Sequence, residues 1–196
     1  MNRTHRRMAL AVLLVLAALA VGGALALRRP QDEGVAQGNL LANGDFSAVT
    51  GETPDGWEKG MWVTSVGASY LEAVTLKDGT TAALIENAAA NDARFEQTVA
   101  VRPNATYRLT ARVRAEGADT AKTGANLSFL GVYGTSRCAY DTDGEWVTLT
   151  LYAQTGKDQR EATVCVRLGG YGSENTGRAW FTDVSLEQVE TVPVGE

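Results

Sequence analysis

The chain reads as an all-β protein, a β-sandwich of short strands behind one apolar N-terminal helix, and three features of its 196 residues predict it. Tyr107, Leu109, Ala111 and Val113 alternate with Arg108, Thr110, Arg112 and Arg114, the period of two that one buried and one wet sheet face imposes. Twenty-one glycines, with Asn and Asp, bound many short segments rich in Thr and Val. Beyond the N-terminus hardly any segment has helical periodicity. A row of apolar side chains on one sheet needs a second sheet to cover it, which makes a sandwich.

The elements follow in order. Residues 8–27 carry no charge and stand between Arg3, Arg6, Arg7 and Arg28, Arg29. Twenty residues at helical rise just cross a hydrocarbon core about 30 Å thick. The basic start favours a cytoplasmic N-terminus and an exported remainder. Two readings stay open for residues 1–29: a retained signal anchor, giving a single-pass protein of the cell membrane, or a signal peptide cleaved after Ala24-Leu25-Ala26, giving a secreted one. Residues 30–38 read as a linker, 39–189 as one domain and 190–196 as a tail. A short strand interrupted by Asn43-Gly44-Asp45 opens the domain at 39–47, and Pro54-Asp55-Gly56 turns the chain into Trp57. Further strands are expected at 68–76, 81–87, 95–101, 106–115, 125–132, 146–153, 162–168 and 178–187. Arg102-Pro103-Asn104 and Lys77-Asp78-Gly79 separate pairs of them. Eight or nine strands suit a jelly roll. Two glycine-rich loops, 131–144 and 169–177, are long for a compact domain, and long loops on a rigid scaffold tend to carry binding.

Charge excludes some partners. Past residue 29 the chain holds 13 basic and 23 acidic residues, a net charge of −10, which disfavours nucleic acid and an anionic bilayer surface. The only histidine, His5, precedes the apolar run, so Ser-His-Asp, Cys-His and histidine-zinc arrangements are absent from the domain. A carboxylate pair could still hydrolyse a glycoside, but among 23 acids some pairs are neighbours by chance. The domain is therefore expected not to be an enzyme.

The stretches NLLANGDF with PDGW, TVAVRPNATYRLTARVRAEG, GEWVTLTLYAQTG and GRAWFTDVSLEQV, in this order, resemble the carbohydrate-binding modules of families 4, 9, 16 and 22, jelly rolls of the galactose-binding-like type. NDARFEQTVAV, YDTDGEW and RLGGYGSENTGRAWF also resemble the exported C-terminal domain of some bacterial glycosyltransferase-like membrane proteins. The first resemblance implies a glycan ligand, bound without catalysis at a bacterial surface. The second implies a structural or interaction ectodomain of the envelope that partners a membrane glycosyltransferase. A carboxylate-dependent glycosidase is the remote third reading.

Sugar binding needs flat aromatic faces flanked by groups that reach hydroxyls. The candidates are Trp62, Tyr70, Tyr133, Tyr140 and Tyr171, with Asn91, Asp92, Arg94, Arg112, Asn126, Arg137 and Arg167 as polar partners. Trp57, Trp146 and Trp180, at strand boundaries, are assigned to packing. The resemblance also implies a structural calcium between the first and last strands. Asp183 matches one ligand position, whereas Ser47 stands where the family often has glutamate, with Asp45 two residues before it. Cys138 and Cys165 are the only cysteines, and export would let them form a disulfide pinning the 131–144 loop over the polar row of 162–168.

Overall fold

The structure is a computed structural model that describes residues 38–132 and 134–192. The expected N-terminal helix and Tyr133 lie outside the described residues. Eleven strands are described: β1 (Val49–Thr50), β2 (Thr53–Pro54), β3 (Glu58–Met61), β4 (Ser69–Thr75), β5 (Thr81–Asn91), β6 (Ala93–Ala100), β7 (Thr106–Glu116), β8 (Ala125–Phe129), β9 (Val147–Gln154), β10 (Glu161–Leu168) and β11 (Asn175–Val189). No helix occurs among the described residues.

The strands form a five-stranded sheet, β4-β5-β11-β7-β9, a four-stranded sheet, β3-β6-β10-β8, and the small ribbon β1-β2. Every pairing is antiparallel. The alternation in β7 is resolved as expected: Tyr107, Leu109, Ala111, Val113 and Ala115 are buried. Ala162, Val164, Val166 and Leu168 of β10 are likewise buried, and they join the same core. Phe46 lies 5.0 Å from Trp57 and 6.4 Å from Phe95, centroid to centroid, closing one end of that core. Trp57 is packing, as expected, and its Nε1–H donates to the Asn43 carbonyl.

Trp146 and Trp180 do something else. They are half-buried on the outer face of the five-stranded sheet, interleaved with guanidinium groups. Arg114 lies 4.5 Å from the Trp180 ring centre and 5.6 Å from that of Trp146, and Arg112 lies 5.2 Å from Trp146. Cations over indole faces cover both rings from the outside and hold β9, β7 and β11 together.

Two expectations for local structure are corrected. Residues 39–47 are not a strand. Asn43 and Phe46 have φ of +50° and +57°, outside strand geometry, and side chains do the bonding instead. Asn39 donates through Nδ2 to the Val184 carbonyl and accepts Leu41 N–H and Leu186 N–H on Oδ1, tying the segment along β11. The 131–144 loop, for its part, lies beside β8 rather than over a sheet face. Isolated bridges Ser128–Thr135 and Ala125–Ala139, with Ser136 N–H donating to the Leu127 carbonyl, extend the four-stranded sheet at its edge.

Candidate functional site

The outer face of the four-stranded sheet is set by register. Residues facing outward line up in rows across the strands: Glu58 of β3, Glu96 of β6, Cys165 of β10 and Ser128 of β8 in one, and Gly60, Arg94, Arg167 and Asn126 in the next. Beyond them Trp62 N–H donates to the Asp92 carbonyl, carrying the β3–β6 pairing one step further. At the other end Thr98 and Thr163 are opposite each other, their hydroxyls 2.7 Å apart.

The polar groups of this face are mutually satisfied in pairs. Arg94 Nε donates to Glu96 Oε2 at 2.6 Å. Its guanidinium lies against Gly60, where any Cβ would stand 2.9 Å away, so a glycine makes the room it occupies. Burial works against the Arg94 charge, but the hydrogen bond and the charge of Glu96 outweigh it and hold its pKa above the ordinary guanidinium value. Arg167 grips both carboxylate oxygens of Asp92, and both side chains are nearly buried. Beneath these charges Cys165 is fully buried. Burial, and then the Glu96 charge, push its thiol up to about 11 against the opposing pull of Arg94 and Arg167.

Asn126 and Ser128, in the floor, are fully buried; Ser128 Oγ faces the Cys165 thiol, whereas Asn126 Oδ1 has no hydrogen-bond partner among the described residues. Asn126 spends its Nδ2 on the carbonyls of Gly124 and Gly169. Trp62 is 69% exposed and Tyr171 78% exposed. Both stand at the Asp92 end of the sheet. Tyr171 follows Gly169, whose hypothetical Cβ would fall 2.3 Å from the Asn91 carbonyl and 3.1 Å from Asp92 Cα.

The sequence candidates thus divide. Trp62, Asp92, Arg94, Asn126, Arg167 and Tyr171 come together here. Asn91 is adjacent but fully buried as a brace: it donates to Val63 O and Ser69 Oγ and accepts from Val63 N–H and Asp92 N–H, so no part of its amide is left for a ligand. Tyr70 is on the other sheet, opposite Glu86. Arg112 is also there, bound to Trp146 and Asp183. Arg137 donates to the Thr148 carbonyl at the β9 edge. Tyr140 packs on Gly124, and burial, then Cys138, raise its phenol pKa. Glu96, Ser128, Thr98, Thr163 and Gly60 were not singled out by sequence. The signal was available in the period-two row Thr163, Cys165, Arg167, which fixes what lies opposite once the partner strands are known.

The disulfide expectation is corrected: both cysteines are free. Cys165 looks outward from β10 beneath Arg94, Glu96 and Arg167, whereas Cys138 sits with Tyr140 in the strip beside β8.

Asp45 and Asp183 share one shallow depression with Asn39, Asn43 and Gly44. Its donors are already engaged. Asp45 Oδ1 accepts Ser47 N–H and O–H, Asp183 Oδ2 takes Arg112 Nη1 at 3.2 Å, and Asn43 Nδ2 donates to the carbonyls of Ala48 and Asp55. Calcium takes six to eight oxygens, and among the described residues no cluster of three or more His, Cys, Asp or Glu side chains occurs. As arranged, the depression offers the ion two carboxylates, one of them shared with Arg112.

No protein-family model and no curated protein matches the chain. Solved structures do. A Stig cyclase from Fischerella sp. TAU, in complex with (3Z)-3-(1-methyl-2-pyrrolidinylidene)-3H-indole, superposes with a TM-score of 0.55 at 15% identity, over 78% of this chain and 97% of that one. A family 4 carbohydrate-binding module superposes with a TM-score of 0.52 at 18% identity, over 76% of this chain and 99% of the other. A family 61 carbohydrate-binding module in complex with β-1,4-galactotriose gives 0.53 at 18%, over 77% and 99%. At these identities the likeness is one of fold: the chain has the jelly-roll sandwich of carbohydrate-binding modules.

Proposed function

We propose that the domain binds glycan, without catalysis, on the outer face of its four-stranded sheet. The observation that carries this reading is the pairing of two exposed rings, Trp62 and Tyr171, with a floor of side-chain donors and acceptors at the same end of the sheet. A pyranose ring would place its apolar face on Trp62 or Tyr171 and its hydroxyls against Asp92, Arg94, Glu96 and Arg167. Two fold neighbours are carbohydrate-binding modules, one of them bound to a galactotriose, which supports the same reading.

The ion pairs support a reading without catalysis: Asp92 and Glu96 are each bound to a guanidinium rather than facing one another across a cleft. In this reading residues 8–27 export the domain and hold it at the membrane, where an envelope protein such as a glycosyltransferase could lie beside it.

A glycan array probed with the full-length chain tests the proposal. Trp62→Ala and Tyr171→Ala should each weaken the best ligand about tenfold or more, the loss of about 1.4 kcal/mol. Tyr70→Ala, on the other sheet, should leave it unchanged. Binding that both changes spare would remove the site, and an array with no binder would turn attention to a protein partner.

A further inference from the structure

A second opening into the sandwich lies at the edge where β8 faces β9, at the Thr98–Thr163 end of the sheet and away from Trp62 and Tyr171. β8 ends at Phe129 after five residues, and the chain turns outward through Val132, whose N–H donates to the Phe129 carbonyl. β9 continues to Gln154. Its inward side chains show the consequence. Leu149 is 1% exposed, whereas Leu151 and Ala153, two and four residues further along the same face, stay half-open because no strand crosses in front of them. The result is a cavity of about 370 Å³, walled by Phe129, Leu151, Ala153, Ala162 and the Tyr107 ring. That volume falls within the roughly 300–1,000 Å³ of small-molecule sites.

The mouth of the cavity is not neutral. Leu130, 46% exposed, forms one lip, and Gln154 and Glu161 form the other. Glu161 is exposed, and its carboxylate has no ion pair among the described residues. Among the described residues no Lys or Arg lines the cavity. An apolar slot with one unpaired carboxylate at its mouth complements a small molecule with an apolar body and a cationic head, and it repels the corresponding anion.

We propose that this cavity is a ligand site separate from the Trp62 end of the glycan face, and that it takes a small aromatic or alkyl amine with its ring or chain between Leu151, Ala153 and Phe129 and its ammonium at Glu161. The site does not depend on the glycan reading, because no residue of the Trp62 end contributes to it.

Equilibrium binding of three naphthalene probes to the full-length chain tests it: 1-naphthylmethylammonium, 1-naphthalenemethanol and 1-naphthylacetate share a ring and differ in charge. The ammonium should bind saturably at one site, at least about threefold more tightly than the acetate, the scale of an exposed ion pair. Glu161→Gln, on the surface, should erase that preference while leaving the alcohol unchanged. Ala153→Trp should abolish saturable binding of all three, and Trp62→Ala should alter none. Absence of saturable binding to the wild type, equal affinity for ammonium and acetate, or a preference that survives Glu161→Gln would each overturn the proposal.

Discussion

Arg167 and Asp92 meet through two parallel contacts, Nε–H to Oδ1 and Nη2–H to Oδ2, with side chains only 11% and 8% exposed. The pair fastens the end of β10 to the residue that joins β5 to β6. A buried ion pair gains little over a well-packed apolar one, but removing a single member leaves an uncompensated charge. Asp92→Ala is therefore expected to lower the free energy of unfolding by about 3–5 kcal/mol, and the double change Asp92→Leu with Arg167→Met by clearly less. Denaturant unfolding of the variants checks this, and additive losses in the double variant would contradict it.

The two thiols should behave differently. Cys138 is half-exposed, whereas Cys165 is buried with its thiol pushed up to about 11. Iodoacetamide at neutral pH should add one group to the native protein and two to the denatured protein, read by mass spectrometry. Two adducts without denaturant would refute the burial of Cys165.

A pH dependence follows from the same group. A raised folded-state pKa means that the fold favours the protonated thiol, so this stabilisation is complete below about pH 9 and is lost as pH rises towards 11. Between pH 8 and 10.5 the wild type should lose on the order of 2 kcal/mol more unfolding free energy than Cys165→Ala. Equal slopes in the two proteins would show that the thiol is not linked to folding.

Gly169 joins β10 to the Tyr171 loop with φ of +92°, and a Cβ there would stand 2.3 Å from the Asn91 carbonyl. Backbone cannot yield as a flexible side chain can. Gly169→Ala should therefore cost about 2–4 kcal/mol in a thermal or chemical melt, against about 1 kcal/mol for Gly172→Ala, which at φ of +66° carries only the left-handed backbone strain because its Cβ meets nothing within 4 Å.

Arg112 at Asp183 and Asn43 at the Ala48 and Asp55 carbonyls occupy the donors that a calcium ion would need. Melting curves in calcium and in chelator should coincide. A calcium-dependent rise in midpoint of several degrees would show that the ion displaces these contacts.

Much of the fold was legible because β7, β8, β9 and β10 alternate apolar and polar residues over five positions or more, and the apolar face is packed into the core. The ribbon β1-β2 and strand β3 were not, since two-residue and four-residue segments such as Glu58–Met61 offer no period to read. The site was legible only in part. Trp62, Arg94 and Arg167 are the residue types a sugar site uses, but Asn91 is of the same type and is consumed by the loop it braces, and Asn126 spends its Nδ2 in the same way. Local sequence cannot distinguish an amide that faces a ligand from one that faces a carbonyl 43 residues away. The proposed Cys138–Cys165 bridge failed for a related reason: the loop was free to lie over the sheet or beside it, and the Ser128–Thr135 pairing placed it beside.

β11, the last strand, lies in the middle of the five-stranded sheet, between β5 and β7. Until the ribosome has released residues 175–189, the strands on either side have no common neighbour and that layer cannot close. The domain thus commits to its architecture only once β11 has emerged, and loss of its fifteen residues would remove the keystone of one whole layer rather than a frayed margin.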